Sequence, residues 1–279
     1  MNSASCNIIS RLGGGATSEV FLAERREGAG EPFVIKRLAP HLCGNSEYIK
    51  LFEHEARLLG SLNHPGIPRL IEFRDSGDAP EIHMQFRPGK SLFAILQDSR
   101  RLKETLPLNT AQRILGGLFD IVAHIHEAHA PDGKALHALH RDICPMNIII
   151  GPQDTASLID FGSASSVMLE SEPEEALFGR FSYLAPEQTQ GGCATTASEI
   201  FALGIVSYEL FCGVHPFRAN GAESTLRNIE SASCMSPGCA CPGLPAPVES
   251  LIARLLRIDP TKRPASVRAA LAELNSIEM

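Results

Sequence analysis

The chain has no basic excess. Its 279 residues carry 25 Lys and Arg against 32 Asp and Glu, a formal net charge of -7, and no segment concentrates Lys or Arg. The electrostatic footprint of a nucleic-acid binder is therefore missing. Long apolar runs are lacking too. The most hydrophobic stretch, residues 200–214, is shorter than the roughly 20 residues a membrane span needs and carries Glu209, so it reads as a buried helix. The first ten residues lack a basic region followed by an apolar one, and no cleaved export signal is expected. The 8 cysteines show no paired spacing, which argues against a disulfide framework and for a reducing compartment. Cys234, Cys239 and Cys241 cluster, but without a C-x-x-C step or an obvious fourth ligand zinc is not expected there. Repeats and low-complexity tails are absent. What is left is an ordinary globular composition, 44% hydrophobic, sized for one domain of two lobes or for two small domains.

Against that background, His140-Arg141-Asp142, then Asn147, then Asp160-Phe161-Gly162 stand out. Residues 148–150 and 157–159 read as short strands joined by a turn-rich stretch, residues 151–155, and should pair as a hairpin. In an antiparallel hairpin the residue entering the first strand lies beside the one leaving the second, so Asn147 and Asp160 should meet at its open end. Two hard oxygen ligands with room for water and phosphate suit magnesium. Asp142, just upstream, falls where it can orient an incoming hydroxyl. Singly, each is a common turn residue; together they form the equipment of phosphoryl transfer.

The amino-terminal part reads as strands at residues 7–12 and 19–23 around a glycine-rich turn, residues 13–18. Such a turn exposes backbone N–H groups to phosphate, yet glycines also serve turns that bind nothing, and no Lys-Ser or Lys-Thr follows to make a P-loop. A strand ending at Lys36 comes next. Between Ser46 and Leu62, Leu51, Glu55, Leu58 and Leu62 recur at helical spacing, which puts Glu55 within the apolar face. Either the fold brings it a cation, with Lys36 the candidate, or it sits at the edge of the stripe and reaches water.

Taken together these residues resemble the eukaryotic-type protein kinases, including their bacterial Ser/Thr members, over nearly the whole chain. The glycine-rich loop matches at Gly13, Gly15 and Val20, with Ser18 where a third glycine is usual. The resemblance implies that Lys36 holds the α- and β-phosphates with Glu55 as its helical partner, and that Asp142 is the catalytic aspartate. It likewise makes Asn147 and Asp160 the metal ligands. Asn63-His64-Pro65 follows the helix as it commonly does. Ala185-Pro186-Glu187 closes the activation segment, and Asp259-Pro260 with Arg263-Pro264 resembles the carboxy-terminal signature whose arginine pairs with that glutamate. Met84 aligns with the gatekeeper and Gln85-Phe86-Arg87 with the hinge, whose backbone would bond adenine between Leu12, Val20, Val34 and Ile149. Those apolar positions are equally suited to a plain core.

Besides Ser18, three positions depart from the pattern. Cys144 stands where Ser/Thr members usually carry a lysine, the marker that separates them from tyrosine kinases. Arg180 stands where a threonine is usual, and the expectation is that its guanidinium approaches Asp142 and replaces the missing cation. Glu199 replaces an aspartate that ties a helix to the catalytic loop, and a retained contact is expected. Arg141 is expected to meet a phosphorylated serine among Ser163, Ser165, Ser166, Ser171 and Ser182, or one of Glu170, Glu172, Glu174 and Glu175, unless the loop is a solvated acidic stretch with no switch.

The implied fold is α+β and bilobal: a small, mainly antiparallel β lobe with one helix to about residue 87, then a larger, mainly helical lobe over residues 88–279. Helices are expected at residues 110–129, 200–211, 248–257 and 266–277. The implied function is an ATP-dependent protein kinase acting on Ser/Thr hydroxyls with Mg2+ or Mn2+. A pseudokinase scaffold, supported by Cys144 and Ser18, is the alternative. A small-molecule phosphotransferase is disfavoured by Arg141, Ala185-Pro186-Glu187 and Arg263. Expected partners are protein substrates and targeting proteins, without nucleic acid, membrane insertion or a sensor domain of its own. The expected location is the cytoplasm, with export by a route that cleaves no signal left open.

Overall fold

The computed structural model of the chain describes residues 6–26, 30–75, 79–130, 132–166 and 180–278. Five strands, β1 (Cys6–Gly14), β2 (Ser18–Arg25), β3 (Phe33–Leu38), β4 (Leu70–Arg74) and β5 (Glu81–Gln85), form an antiparallel sheet in the order β1-β2-β3-β5-β4. Side chains alternate between faces along a strand. On one face Val34, Ile82 and Met84 join the main core; on the other, Ala23, Phe33 and Ile35 form a separate small cluster. Register puts Val20 opposite Lys36 and Val34 opposite Met84, so these four share the first face. The glycine-rich turn is tighter than its sequence suggests. Gly13 and Gly14 pair with Val20 and Glu19, so β1 runs through them and only residues 15–17 turn.

Helix α1 (Ser46–Ser61) starts where the Asn45 side chain accepts from the Glu47 N–H at 2.9 Å, a regular N-cap. Its buried face of Phe52, Glu55, Ala56, Leu58 and Leu59 packs behind the sheet. The chain then passes Gly89, whose φ of +151° suits only glycine and whose Cβ, if present, would lie 2.3 Å from the Ile150 carbonyl oxygen. That close approach lets β6 (Lys90–Ser91) join a three-stranded sheet with β7 (Ile148–Ile150) and β8 (Ala156–Leu158).

The rest is mainly helical: α2 (Leu92–Leu102), α3 (Leu108–His126), α4 (Pro186–Thr189), α5 (Thr196–Cys212), α6 (Ala222–Glu230), α7 (Pro237–Ala240), α8 (Ala246–Leu255) and α9 (Val267–Asn275). Every residue of α5 from Ser198 to Cys212 is buried, as a helix apolar on all sides requires, and α3 and α8 pack on it. The expected helix bounds shift by up to four residues for local reasons. Thr195 and Ser198 cap each other's backbone and start α5 earlier than its apolar pattern does, and Ser266 serves as a cap ahead of α9 instead of as its first residue. No helix among the described residues is long and apolar enough to cross a membrane.

Candidate active site

The β7/β8 hairpin places the first group of site residues. Its second strand ends at Leu158, one residue earlier than expected, and Ile159 N–H then bonds the Asn147 carbonyl at 2.9 Å. Asn147 and Asp160 thus leave the hairpin side by side. Asn147 Nδ2 donates to the Asp142 carbonyl at 2.9 Å and to its Oδ2 at 2.7 Å, which uses both amide protons and turns Oδ1 away with no donor among the described residues. Asp142 Oδ1 is buried and likewise has no hydrogen-bond partner among them. A buried carboxylate oxygen without a donor is costly, and a hydroxyl or N–H group brought to it would satisfy it.

The loop that carries Asp142 is held from below. His140 is fully buried, edge-on to Phe161 at 4.8 Å; its Nε2 bonds the Ile159 carbonyl and its Nδ1 faces Asp142 N–H. Burial keeps this imidazole neutral, which fixes the Nε2–H tautomer. Arg141 takes a left-handed conformation, φ +66°, and its N–H donates to Glu199 Oε1 at 2.6 Å, while Glu199 Oε2 meets His126 Nε2 at 2.6 Å. The longer side chain at position 199 therefore keeps the contact to the catalytic loop. Burial opposes its charge, but His126 and the Arg141 N–H outweigh that and hold the carboxyl below its ordinary value.

The second group converges from the sheet, α1 and the hairpin. Lys36 Nζ lies 2.6 and 2.8 Å from the two Glu55 oxygens and 2.7 Å from Asp160 Oδ1. Glu55 is 2% exposed, so it does not reach water; of the two readings its sequence left open, the buried pair holds. Burial works against the Lys36 charge, yet the two carboxylates raise its pKa well above the ordinary lysine value. Asp160 falls to about 2, first because of the Lys36 charge and despite burial. Burial, reinforced by Asp160, pushes Glu55 up against the pull of Lys36. Gly162 leaves room for this group. A Cβ on it would stand 2.9 Å from Lys36 Nζ and 3.3 Å from both Asp160 Oδ1 and Glu55 Oε2.

The positions expected to enclose the adenine and phosphates are placed as follows. Val20, Val34 and Met84 lie on the sheet face that carries Lys36, and Ile149 sits on β7 opposite Ser91. Leu12 is exposed, and Gly13 and Gly15 have open space where a Cβ would be. Ser18 is buried at the start of β2, opposite Leu38. The Gln85 N–H is already committed to the Arg69 carbonyl at 2.9 Å, and the Arg87 guanidinium anchors on the Ile67 carbonyl.

Arg263 pairs with Glu187 at 2.7 and 2.8 Å, as the sequence predicts. Arg180 and Asp142 line one small cavity, but the guanidinium rests against the Cys144 thiol, and among the described residues it forms no ion pair with a carboxylate. Burial lifts Cys144 to about 11, with Asp142 adding to it against the pull of Arg180, so the thiol stays neutral. Of the candidate activation-segment residues, Ser171, Glu170, Glu172, Glu174 and Glu175 lie outside the described residues; Ser165, Ser166 and Ser182 are buried. Cys234, Cys239 and Cys241 are free thiols, and no group of three or more His, Cys, Asp or Glu side chains that could hold a metal occurs among the described residues. Tyr183, whose hydroxyl donates to Glu209 at 2.7 Å, escaped the sequence reading. The signal was Glu209 itself, an acid within an apolar run that had to find a donor.

The family model of the protein kinase domain matches residues 6–274, and the chain belongs to that family. It is 29% identical over 262 residues to the tyrosine-protein kinase MasK of Myxococcus xanthus, covering 92% of this chain and 40% of MasK. It is 32% identical over 272 residues to the serine/threonine-protein kinase pkn2 of Myxococcus xanthus, covering 93% of this chain and 31% of pkn2. To the serine/threonine-protein kinase PrkC of Bacillus subtilis it is 31% identical over 261 residues, 92% of this chain and 38% of PrkC. The chain thus spans well under half the length of these relatives.

Proposed function

We propose that the chain is an ATP-dependent protein kinase domain that transfers the γ-phosphoryl group to Ser or Thr hydroxyls of proteins. The observation that carries this reading is the convergence of Lys36, Glu55 and Asp160 within hydrogen-bond distance, beside an Asp142 carboxylate that Asn147 orients. In this reading Lys36, fixed by Glu55, holds the nucleotide phosphates, and Asp142 Oδ1 accepts the hydroxyl proton of the acceptor. The uncommitted oxygens of Asn147 and Asp160 fit a hard divalent ion, Mg2+ or Mn2+. When bound, such an ion would draw charge from the phosphate oxygens. Arg180, beside Asp142 and the neutral Cys144, supplies the cation that a lysine usually gives. The nucleotide enters along Leu12, Gly13, Gly15, Val20, Val34, Met84 and Ile149, with its adenine at the hinge of Gln85 and Arg87 and the two lobes dividing near residue 87. Ser/Thr preference follows the names of pkn2 and PrkC, against that of MasK. A cytoplasmic location and targeting by partner proteins complete the proposal.

The test is incubation of purified protein with labelled ATP and magnesium, followed by mapping of labelled residues on itself and on a generic acceptor. Asp142→Asn should lower transfer at least about a hundredfold while leaving nucleotide binding intact. Equal labelling by wild type and Asp142→Asn would refute the assignment, and a scaffold without turnover would label neither.

A further inference from the structure

A groove of about 580 Å3 opens beside the catalytic loop, between Cys144 and Met146 on one side and the start of α6 on the other. Arg180 lines both this groove and the small cavity that Asp142 lines, so the groove adjoins the Asp142 site. Its wall carries two arginines, Arg180 and Arg218, and no Asp or Glu. Both arginines are exposed, and among the described residues neither has a carboxylate at ion-pair distance.

Among the described residues, the acids near the groove other than Asp142 are already paired. Glu209, behind Tyr183, is 2% exposed and accepts from the Tyr183 hydroxyl at 2.7 Å and from Arg100 at 2.9 Å. Glu223, in the first turn of α6, is paired with Arg227. Buried His215 adds no countercharge. Its Nε2 donates to the Ser182 carbonyl at 2.9 Å, and burial together with Arg218 lowers its pKa to about 4. Among the described residues the groove is thus a local reversal of sign in a chain of net charge -7. Exposed Phe181 and Met146, 44% and 43% accessible, add an apolar floor beside the two cations.

We propose that this groove seats the acceptor polypeptide and selects one with anionic side chains, carboxylate or phosphate, flanking the acceptor hydroxyl, with Arg218 as the specificity-determining residue. The proposal rests on the kinase reading for its location, while its charge preference stands on the groove itself. Two guanidiniums in a concave, partly apolar wall attract an anion more strongly than exposed pairs on a convex surface.

The experiment uses one acceptor peptide series, identical except for Glu, phosphoserine, Gln or Lys at the flanking positions, with a fluorescent label. Transfer from ATP and binding by anisotropy are measured in parallel. The Glu peptide should exceed the Lys peptide about tenfold in kcat/KM and in affinity, an advantage that shrinks with added salt. Arg218→Glu should reverse the order, with wild-type thermal stability as the control for folding. A phosphoserine peptide well above the Glu peptide would identify already phosphorylated proteins as the source, and equality would identify acidic ones; both support the proposal. Equal binding of Glu and Lys peptides, or an Arg218→Glu variant that keeps the wild-type order, would overturn it. Absence of any labelling would instead count against the kinase reading, and the binding series would still decide the groove.

Discussion

Replacing Arg263 by lysine should cost the domain about 3 kcal/mol of stability although the charge is kept. The side chain is 0% exposed and all five of its N–H donors are used. Nε bonds the Arg257 carbonyl at 2.8 Å; one terminal nitrogen bonds Glu187 Oε1 at 2.7 Å and the Ala197 carbonyl at 2.8 Å; the other bonds Glu187 Oε2 at 2.8 Å and the Ile258 carbonyl at 3.0 Å. The guanidinium also lies 4.9 Å from the centre of the Phe201 ring. Lysine has three donors on one nitrogen and cannot span this fork. At least two acceptors lose their partner, at about 1–3 kcal/mol for each buried one, and the contact with the ring loses about 0.5–1 kcal/mol more. Water can relieve part of the loss at Glu187, which is 23% exposed, and beside the exposed residues Arg257 and Ile258. A loss of 3 kcal/mol in 279 residues corresponds to a fall in Tm of about 5 °C, at about 2.1 cal/mol/K of unfolding entropy per residue. The chain has no tryptophan, so urea unfolding is followed by far-UV circular dichroism. Because Glu187 follows the segment from Arg180 to Tyr183 that lines the proposed acceptor groove, KM for the acceptor should rise with KM for ATP unchanged. A loss below about 1 kcal/mol, or full additivity with Glu187→Gln in a double-mutant cycle, would refute the reasoning.

Three further outcomes are expected. Arg180→Ala should lower turnover about a hundredfold with nucleotide affinity within a few-fold of wild type, since the guanidinium is assigned to charge developing during transfer; unchanged turnover would remove it from the catalytic set. Gly162→Ala should abolish most nucleotide-dependent turnover while costing only about 1–3 kcal/mol in stability, because the methyl group displaces Lys36 Nζ from both carboxylates; calorimetry and a labelling assay on the same sample separate the two effects. Glu81 is held down to about 2 by its hydrogen bond from His83, against burial and with help from Arg37. Its contribution to stability is complete above the unfolded value of 4.5 and disappears as pH falls to about 2. Glu81→Gln should flatten the acid limb of a stability-against-pH curve across that window, and an unchanged slope would show that another carboxylate governs it.

The hairpin argument illustrates how much of the site was legible in the sequence. Residue spacing alone brought Asn147 beside Asp160, because antiparallel pairing converts two short apolar runs into one open end. Helical periodicity likewise put Glu55 on a buried face. Periodicity could not say whether a cation met it there, since Lys36 is on a different element and only the packing of α1 behind the sheet sets that distance. Elements bounded by reciprocal capping rather than by apolar pattern, such as the first turn of α5, were misplaced for the same reason: capping is a local geometry that hydrophobic spacing does not encode.

The sequence by itself determined the family and the strand and helix classes, because those depend on residue type and short-range spacing. Tertiary structure alone decided the partners of charge. It gave Glu209 to Tyr183 and Arg100, laid Arg180 against a neutral thiol, and left Arg218 facing a groove with no Asp or Glu among the described residues that line it. Electrostatic partners act through space across segments distant in the chain, so their pairing exists only once the chain is folded.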